Sequence, residues 1–321
     1  MRKSKLKFMD FCSGIGAGRL ALERNGLSCV GHCEINKSAD KTYRLFFGEN
    51  EKNYGDIMNV NCKALPNFDL MLAGFPCQSF SIAGNRNGFG DERGQVFFGL
   101  LKILKEKNVK YFIFENVKGL VNHENGETLK RILTELENAG YSVSWKVLNS
   151  INYGVPQMRE RIYIIGAKTE LISKPFVWSE SNSTANLEDF LIDKDAPLMN
   201  ENAPVWNNYL NNDINKGKYN MQDILKNDLC VIDKKQRNLR IYHNKVPTLC
   251  AGNHSIYSVK NNRLYKISGY EGLLLQGFPK EFAERAKAHG ISNNALLTQT
   301  GNAMTVPVVE AVGKTLLSSI K

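Results

Sequence analysis

A cysteine, a glutamate and two arginines stand where apolar runs give way to polar sequence. Cys77 follows FDLMLAGF and Pro76 in AGFPCQSFSIAG, Glu115 closes FIFENV, and Arg159 and Arg161 lie in QMRER, ahead of RIYIIGA. A thiol at the carboxyl end of a strand has two readings. Buried, it is a small hydrophobe. At the edge where α/β proteins bind ligands, it is a nucleophile. Pro76 holds Phe75 extended and sets the direction in which the cysteine enters. A carboxylate that ends a buried strand needs a partner or a proton; a helix cap at Asn116 is the plainer use of the same stretch. Alternation along a strand puts Gln157, Arg159 and Arg161 on one face, suited to a phosphate or a polarised base edge. A surface ladder of arginine and glutamate is the other reading.

A second group suits a nucleotide-like ligand. In DFCSGIGAGRLALE, residues 10–23, a strand ends, glycines turn the chain and a helix begins. Gly14, Gly16 and Gly18 admit a ligand close to the backbone, and the helix start offers free N–H groups. Glu34 ends the strand SCVGHCEI about twenty residues on, where doubly wound folds place the acid that binds ribose hydroxyls. Asp56 and Ile57, in GDI, are placed to hold an adenine amino group. Together these residues point to an adenosine-bearing cofactor at the carboxyl edge of a sheet.

The elements that must position these residues alternate. KLKFMDF, SCVGHCEI, FDLMLAGF, KYFIFENV, YSVSWKVLN and RIYIIGA read as strands. RLALERNG, KSADKTYRLFFG, GQVFFGLLKILKEK and ETLKRILTELENAG read as helices, several with glycine stops. Strand–helix alternation with short loops predicts a doubly wound, mostly parallel α/β sheet. From Pro175 the periodicity weakens, asparagines and turns dominate, and a smaller irregular domain is expected over 175–262. Its ten basic and ten acidic residues cancel, so clustering decides: KKQRNLRIYHNK, with Arg237 and Arg240, is a candidate nucleic-acid footprint or a solvated hairpin face. Helices return over 263–321, with Pro307 near the start of the last. The expected domains are therefore 1–174, 175–262 and a return segment 263–321.

Lys plus Arg exceeds Asp plus Glu by 42 − 32 = 10, which favours a polyanionic partner. The seven cysteines are odd in number and irregular in spacing, with no pair of ligand pairs at zinc spacing, so no metal is expected. No apolar run reaches the roughly 18–20 residues of a membrane span. MRKSKLKFMDF lacks the apolar core of a signal peptide. The expected place is the cytoplasm, on the chromosome.

GFPCQSFS, ENV, Q-x-R-x-R and GNAMTVP, in that order, resemble the DNA cytosine-5 methyltransferases, in particular the compact enzymes of bacterial restriction–modification systems. The resemblance spans nearly the whole chain outside 175–262. It implies a Rossmann-like methyltransferase fold, S-adenosylmethionine as cofactor with S-adenosylhomocysteine as product, and double-stranded DNA as substrate, with the target cytosine flipped out of the helix. Cys77 is implied as the nucleophile at C6, Glu115 as the group at N3 and the exocyclic amine, and Arg159 and Arg161 as the groups at O2 and a phosphate. The cofactor residues carried over are Phe11, Gly14, Ile15, Gly16, Glu34, Ile35, Asp56, Ile57, Gly74, Pro76, Asn302 and Ala303. Those for the substrate are Gln78, Ser81, Asn116, Val117, Gln157, Arg237, Arg240, Thr248 and Leu249. The loop SIAGNRNGFGDERGQ is implied as a lid and 175–262 as the target-recognition domain. A monomer and a separate cognate endonuclease are expected. The chain departs from the family at Leu274 (usually arginine), Gly269 (usually proline) and Ile35 (often tryptophan). A tRNA cytosine-5 methyltransferase on the same scaffold and an inactive DNA-binding relative are the alternative readings.

Overall fold

Strands that are apolar on both faces must be covered by helices on both faces, and the structure, a computed structural model describing residues 5–76, 95–178, 181–252 and 254–321, follows that rule. In chain order the elements begin β1 (Lys7–Phe11), α1 (Ala17–Arg24), β2 (Ser28–Cys33), α2 (Lys37–Phe47), β3 (Leu70–Gly74), α3 (Gln95–Glu106), β4 (Tyr111–Val117), α4 (Glu127–Asn138), β5 (Tyr141–Asn149), β6 (Gln157–Met158) and β7 (Glu160–Lys168). They continue α5 (Pro204–Leu210), α6 (Met221–Leu225), β8 (Cys230–Asp233), β9 (Arg240–His243), β10 (Val246–Pro247), β11 (Ile256–Lys260), β12 (Arg263–Lys266), α7 (Gly269–Leu275), α8 (Lys280–Ala288), α9 (Asn293–Asn302) and α10 (Val306–Ser319). Two compact units result: 1–149 with 160–180 and 304–321, and 150–159 with 181–303.

In the first unit the sheet order is β2-β1-β3-β4-β7-β5. β2, β1, β3 and β4 are parallel, and β7 alone is reversed, antiparallel to both β4 and β5. The chain leaves β1 in one direction to β2 and returns on the other side as β3. Ligands bind at such a switch point, outside the carboxyl ends of the strands. Met9, Phe11, Met71, Ala73, Phe112 and Phe114 pack one face of the sheet with Phe97, Leu100 and Leu104 of α3 and Leu129, Ile132 and Leu136 of α4. On the other face a Cβ at Gly18 would overlap Leu72, so α1 lies directly on β3. Asn25 Nδ2 donates to the Glu310 carbonyl at 2.9 Å, tying the end of α1 to α10.

The second unit is more regular than its sequence. An antiparallel sheet in the order β12-β11-β8-β9 fills the stretch read as irregular. Trp206, Leu210, Ile224, Ile232, Val259 and Leu264 form a core on it. Residues 263–303 stay in this unit because β12 pairs with β11, so only 304–321 returns to the first. Residues 150–159 join it because Gln157 and Met158 pair with Val246 and Pro247.

His32 is the buried titratable group of β2. Its ring stacks on Tyr43, with centroids 3.8 Å apart and 8° between planes. Nδ1 lies 3.0 Å from Ser13 Oγ, and Nε2 lies 3.4 Å from Asp40 Oδ1. Burial pushes the imidazole down from 6.5 to about 4, with Asp40 pulling weakly the other way. Between those values the unfolded chain takes up a proton that the folded chain refuses. The stabilisation is therefore present above pH 6.5 and is lost as pH falls toward 4, by on the order of 3 kcal/mol. His32→Asn should flatten this part of the profile. Urea unfolding of both proteins from pH 7 to pH 4 checks it, and parallel profiles would refute the assignment to His32.

Candidate active site

The carboxyl edge of the parallel strands collects the chemistry-bearing residues of the first unit. Glu115 stands near the end of β4, in register with Gly74 at the end of β3. Because β7 runs the other way, its first turn reaches the same edge, and Arg161 pairs with Val117. Arg161 Nε lies 3.2 Å from Glu115 Oε1, and both side chains are largely buried. Taking a carboxylate out of water costs several kcal/mol unless a partner offsets it, and the guanidinium is that partner. Arg161 Nη1 donates to the Glu160 carbonyl at 2.8 Å, which holds the fork in place. A Cβ on Gly74 would stand 3.5 Å from both Glu115 Oε2 and Met304 Cε, so a longer side chain there would crowd the carboxylate.

Asn116 points to the opposite face of β4. Its Nδ2 donates to the Phe75 carbonyl at 3.0 Å, and its Oδ1 accepts from the Val117 N–H at 2.8 Å. It braces Phe75 and Pro76, the two residues before Cys77, and caps no helix. Phe75 is buried, edge-on to Phe114 at 5.8 Å; Pro76 is exposed and Val117 is at the surface. Cys77, Gln78, Ser81 and the expected lid lie outside the described residues.

Two strands away, the residues expected at a cofactor surround the turn after β1. Gly14 (φ +55°) and Gly16 (φ +81°) take left-handed conformations, and Gly14 has open space where a side chain would stand. No side chain caps the N-terminus of α1. The Glu34 carboxylate accepts from the Gly14 N–H at 2.8 Å and from the Asn36 N–H at 2.7 Å. Asp56 accepts from the Met58 N–H at 2.9 Å and from Asn59 Nδ2 at 2.7 Å. Ile57 and Ile15 are buried, whereas Ile35 is 75% exposed beside Glu34. This set fits an adenosine-bearing group: an oriented acid for hydroxyls, a helix start at the turn, an open glycine and an uncovered apolar side chain.

Phe11 lies in the same core cluster as Ile57. It is fully buried against Phe68, with ring centroids 6.0 Å apart, because alternation along β1 puts it with Met9 on the core side. The residue at the turn is Cys12, with φ +51°. Burial, reinforced by Glu34, pushes its thiol well above the ordinary range. Sequence reasoning missed four residues here. Ser13 and His32 anchor the turn from below, and Asn53 bonds the backbone of Glu34. A short polar residue in a loop gives no local sign of such partners. Met304 is the fourth: a Cβ at Gly18 would meet its Cε at 2.8 Å and one at Gly74 at 3.5 Å, so it spans the two turns.

Gln157, Arg159 and Arg161 do not share a face. The ladder breaks between Met158 and Glu160, where β6 pairs with β10 and β7 pairs with β4 and β5. Gln157 and Arg159 are buried in the second unit. Gln157 Nε2 donates to the Leu275 carbonyl at 2.9 Å, and its Oε1 accepts from the Leu249 N–H at 3.1 Å. Arg159 donates to the carbonyls of Leu249 (3.2 Å), Gly301 (3.2 Å) and Ala303 (2.8 Å). Thr248 Oγ1 donates to the Met158 carbonyl at 2.6 Å, and Leu249 is buried. Arg237 pairs with Asp213 at 2.6 Å and Arg240 bonds Gln236, both exposed. Asn302 is exposed at the end of α9, and Ala303 is buried. The structure thus brings Glu115 and Arg161 together and places Arg159 in a backbone clip.

Residues 6–318 match the family model for C-5 cytosine-specific DNA methylase. The type II methyltransferase M.NgoBI of Neisseria gonorrhoeae is 36% identical over 96% of this chain and 92% of its own. The type II methyltransferase M.HaeII of Haemophilus aegyptius is 37% identical over 98% of this chain and 93% of its own. Among solved structures, Spodoptera frugiperda DNMT2 superposes with a TM-score of 0.72, covering 98% of this chain and 100% of its own at 20% identity, a likeness of fold. No helix among the described residues is long and apolar enough to cross a membrane.

The Arg159 clip makes a stability prediction. Arg159→Ala leaves three buried carbonyls without this donor, each worth about 1–3 kcal/mol, so a loss of about 3 kcal/mol or more is expected. Urea unfolding measures it. A variant as stable as the parent would show that the carbonyls find other donors.

Proposed function

The chain belongs to the C-5 cytosine-specific DNA methylases, and from that premise we propose how its residues divide the work. It is an S-adenosylmethionine-dependent DNA methyltransferase; the assignment of individual residues is our reading. The observation that carries it is the Glu115–Arg161 pair at the buried edge, beside the Gly74–Pro76 segment that leads to Cys77.

Cytosine C5 is a poor nucleophile. The Cys77 thiolate adds at C6 of a flipped cytosine, and the ring becomes an enamine whose C5 is nucleophilic. Glu115 holds N3 and the exocyclic amine and stabilises the adduct, while Arg161 keeps the carboxyl in place and faces the O2 side. S-adenosylmethionine would supply an electrophilic methyl to C5 and leave as S-adenosylhomocysteine. The C5 proton then goes to a base as the C6–S bond breaks, which restores the thiolate and aromaticity. Glu34 binds the ribose hydroxyls, the Asp56–Ile57 segment the adenine, and the Gly14–Gly16 turn the polar tail. Arg159 acts by positioning Leu249 and the end of α9, not by touching the base.

In this reading the first unit is catalytic and the second reads the DNA site, with Arg237 and Arg240 at its basic hairpin. The named relatives are type II methyltransferases. We assign this chain the same modification role, as a monomer whose endonuclease is a separate protein and whose place is on the chromosome in the cytoplasm. The tRNA reading is not favoured.

Transfer of labelled methyl from S-adenosylmethionine to mixed-sequence duplex DNA, followed by mapping of modified cytosines, tests the assignment. Cys77→Ala should abolish turnover while retaining DNA binding. Glu115→Gln should lower kcat by roughly 100-fold or more. Full activity of Cys77→Ala, or transfer to tRNA and not to DNA, would overturn it.

A further inference from the structure

The cofactor reading needs two acids held at a fixed spacing. Glu34 lies just past β2, an edge strand, and Asp56 lies in the loop between α2 and β3. Main-chain pairing carries the loop only as far as Asn53. The His32 N–H donates to the Lys52 carbonyl at 3.2 Å, and the Tyr54 N–H to the His32 carbonyl at 2.8 Å. Beyond that bridge a side chain takes over. Asn53 Oδ1 accepts from the Glu34 N–H at 3.0 Å and from the Gly55 N–H at 2.8 Å. Asn53 Nδ2 donates to the Glu34 carbonyl at 2.8 Å.

One amide thus satisfies both backbone groups of Glu34 and the N–H next to Asp56. It continues the pairing of β2 by one residue, with a side chain in place of a strand. Gly55 then turns the chain at φ +74° into Asp56. Only asparagine meets these demands at this reach: aspartate cannot donate, alanine does neither, and glutamine is a methylene too long.

We infer that Asn53 is a positioning residue for the cofactor, fixing the ribose acid Glu34 relative to the adenine loop at Asp56. This rests on the cofactor reading above. The Glu34 carboxylate is already aimed by the N–H groups of Gly14 and Asn36. With its backbone pinned by Asn53, the pocket is set before the cofactor arrives, and binding spends little on ordering it.

The test uses the whole protein. Affinity for S-adenosylhomocysteine is measured by calorimetry, and methyl-transfer rates are measured against S-adenosylmethionine concentration, for Asn53→Ala, Asn53→Asp and Glu34→Ala. Asn53→Asp keeps both accepting bonds and sets a lone pair against the Glu34 carbonyl, so it serves if the alanine variant folds poorly. Both Asn53 variants should bind about tenfold more weakly, the scale of one or two net hydrogen bonds. KM should rise by the same factor while kcat at saturating cofactor stays within about twofold. Parental affinity in both Asn53 variants, or a fall in kcat with affinity unchanged, overturns the inference. If Glu34→Ala loses affinity while the Asn53 variants do not, the cofactor reading stands and only the positioning role falls. If Glu34→Ala also binds as the parent does, the cofactor reading itself falls.

Discussion

A carboxylate held at the buried end of a central strand is the constraint on which the catalytic edge depends. Left alone, Glu115 would be expelled to water or protonated. Its pairing with Arg161 requires a cation at the same edge of the sheet, and that in turn requires a strand running the other way. Had β7 been parallel to β4, its first residues would lie at the far edge, a strand length from Glu115. The reversed strand is thus a functional element of an otherwise parallel sheet. The same register pairs Gly74 with Glu115, so no Cβ from that position stands against the carboxylate. Period-two alternation turns Asn116 away to brace Phe75. One register therefore serves the acid, its cation and the approach to Cys77.

The cofactor half repeats this logic with neutral donors. Glu34 also ends a strand, but it is only partly buried, so two backbone N–H groups suffice to orient it. The difference in partner follows from the difference in burial. A full cation is needed inside the sheet at β4; dipoles are enough at the edge strand β2. The two acids stand three strand positions apart, roughly 14 Å at ordinary strand spacing. In the proposed division of work, that span would separate the ribose end of a nucleoside cofactor from a reacting base while keeping both on one edge.

The sequence made the α/β alternation legible because strand and helix periods differ so clearly in the first 168 residues. It also exposed Glu115, the first charged residue after an apolar run, and Glu34 at the end of the second strand, whereas Gly74 entered through the family resemblance. The same periodicity puts Met9 and Phe11 on one face of β1, in the cluster that also holds Ile57. The second unit hid its sheet because β8, β9, β11 and β12 are four or five residues long and separated by turn-rich stretches. Such strands gain their stability from cross-strand partners distant in sequence. Asn53 was invisible for a related reason: its three bonds depend on where a loop lies, not on what flanks it.

QMRER shows most clearly where local periodicity fails. Alternation assumes an unbroken ladder, yet the strand changes partners at Arg159, from β10 to β4 and β5. The two arginines are chemically alike and two residues apart, but the break gives them unrelated work. Arg161 meets a carboxylate; Arg159 donates to three carbonyls. Three carbonyls from two separate segments call for a planar fork with several donors at fixed angles, which a lysine ammonium does not present. Arg159 and Ala303 are also the last residues of their segments in the second unit. A single guanidinium therefore ties together both points at which the chain of that unit ends, and three oriented carbonyl dipoles face its buried charge.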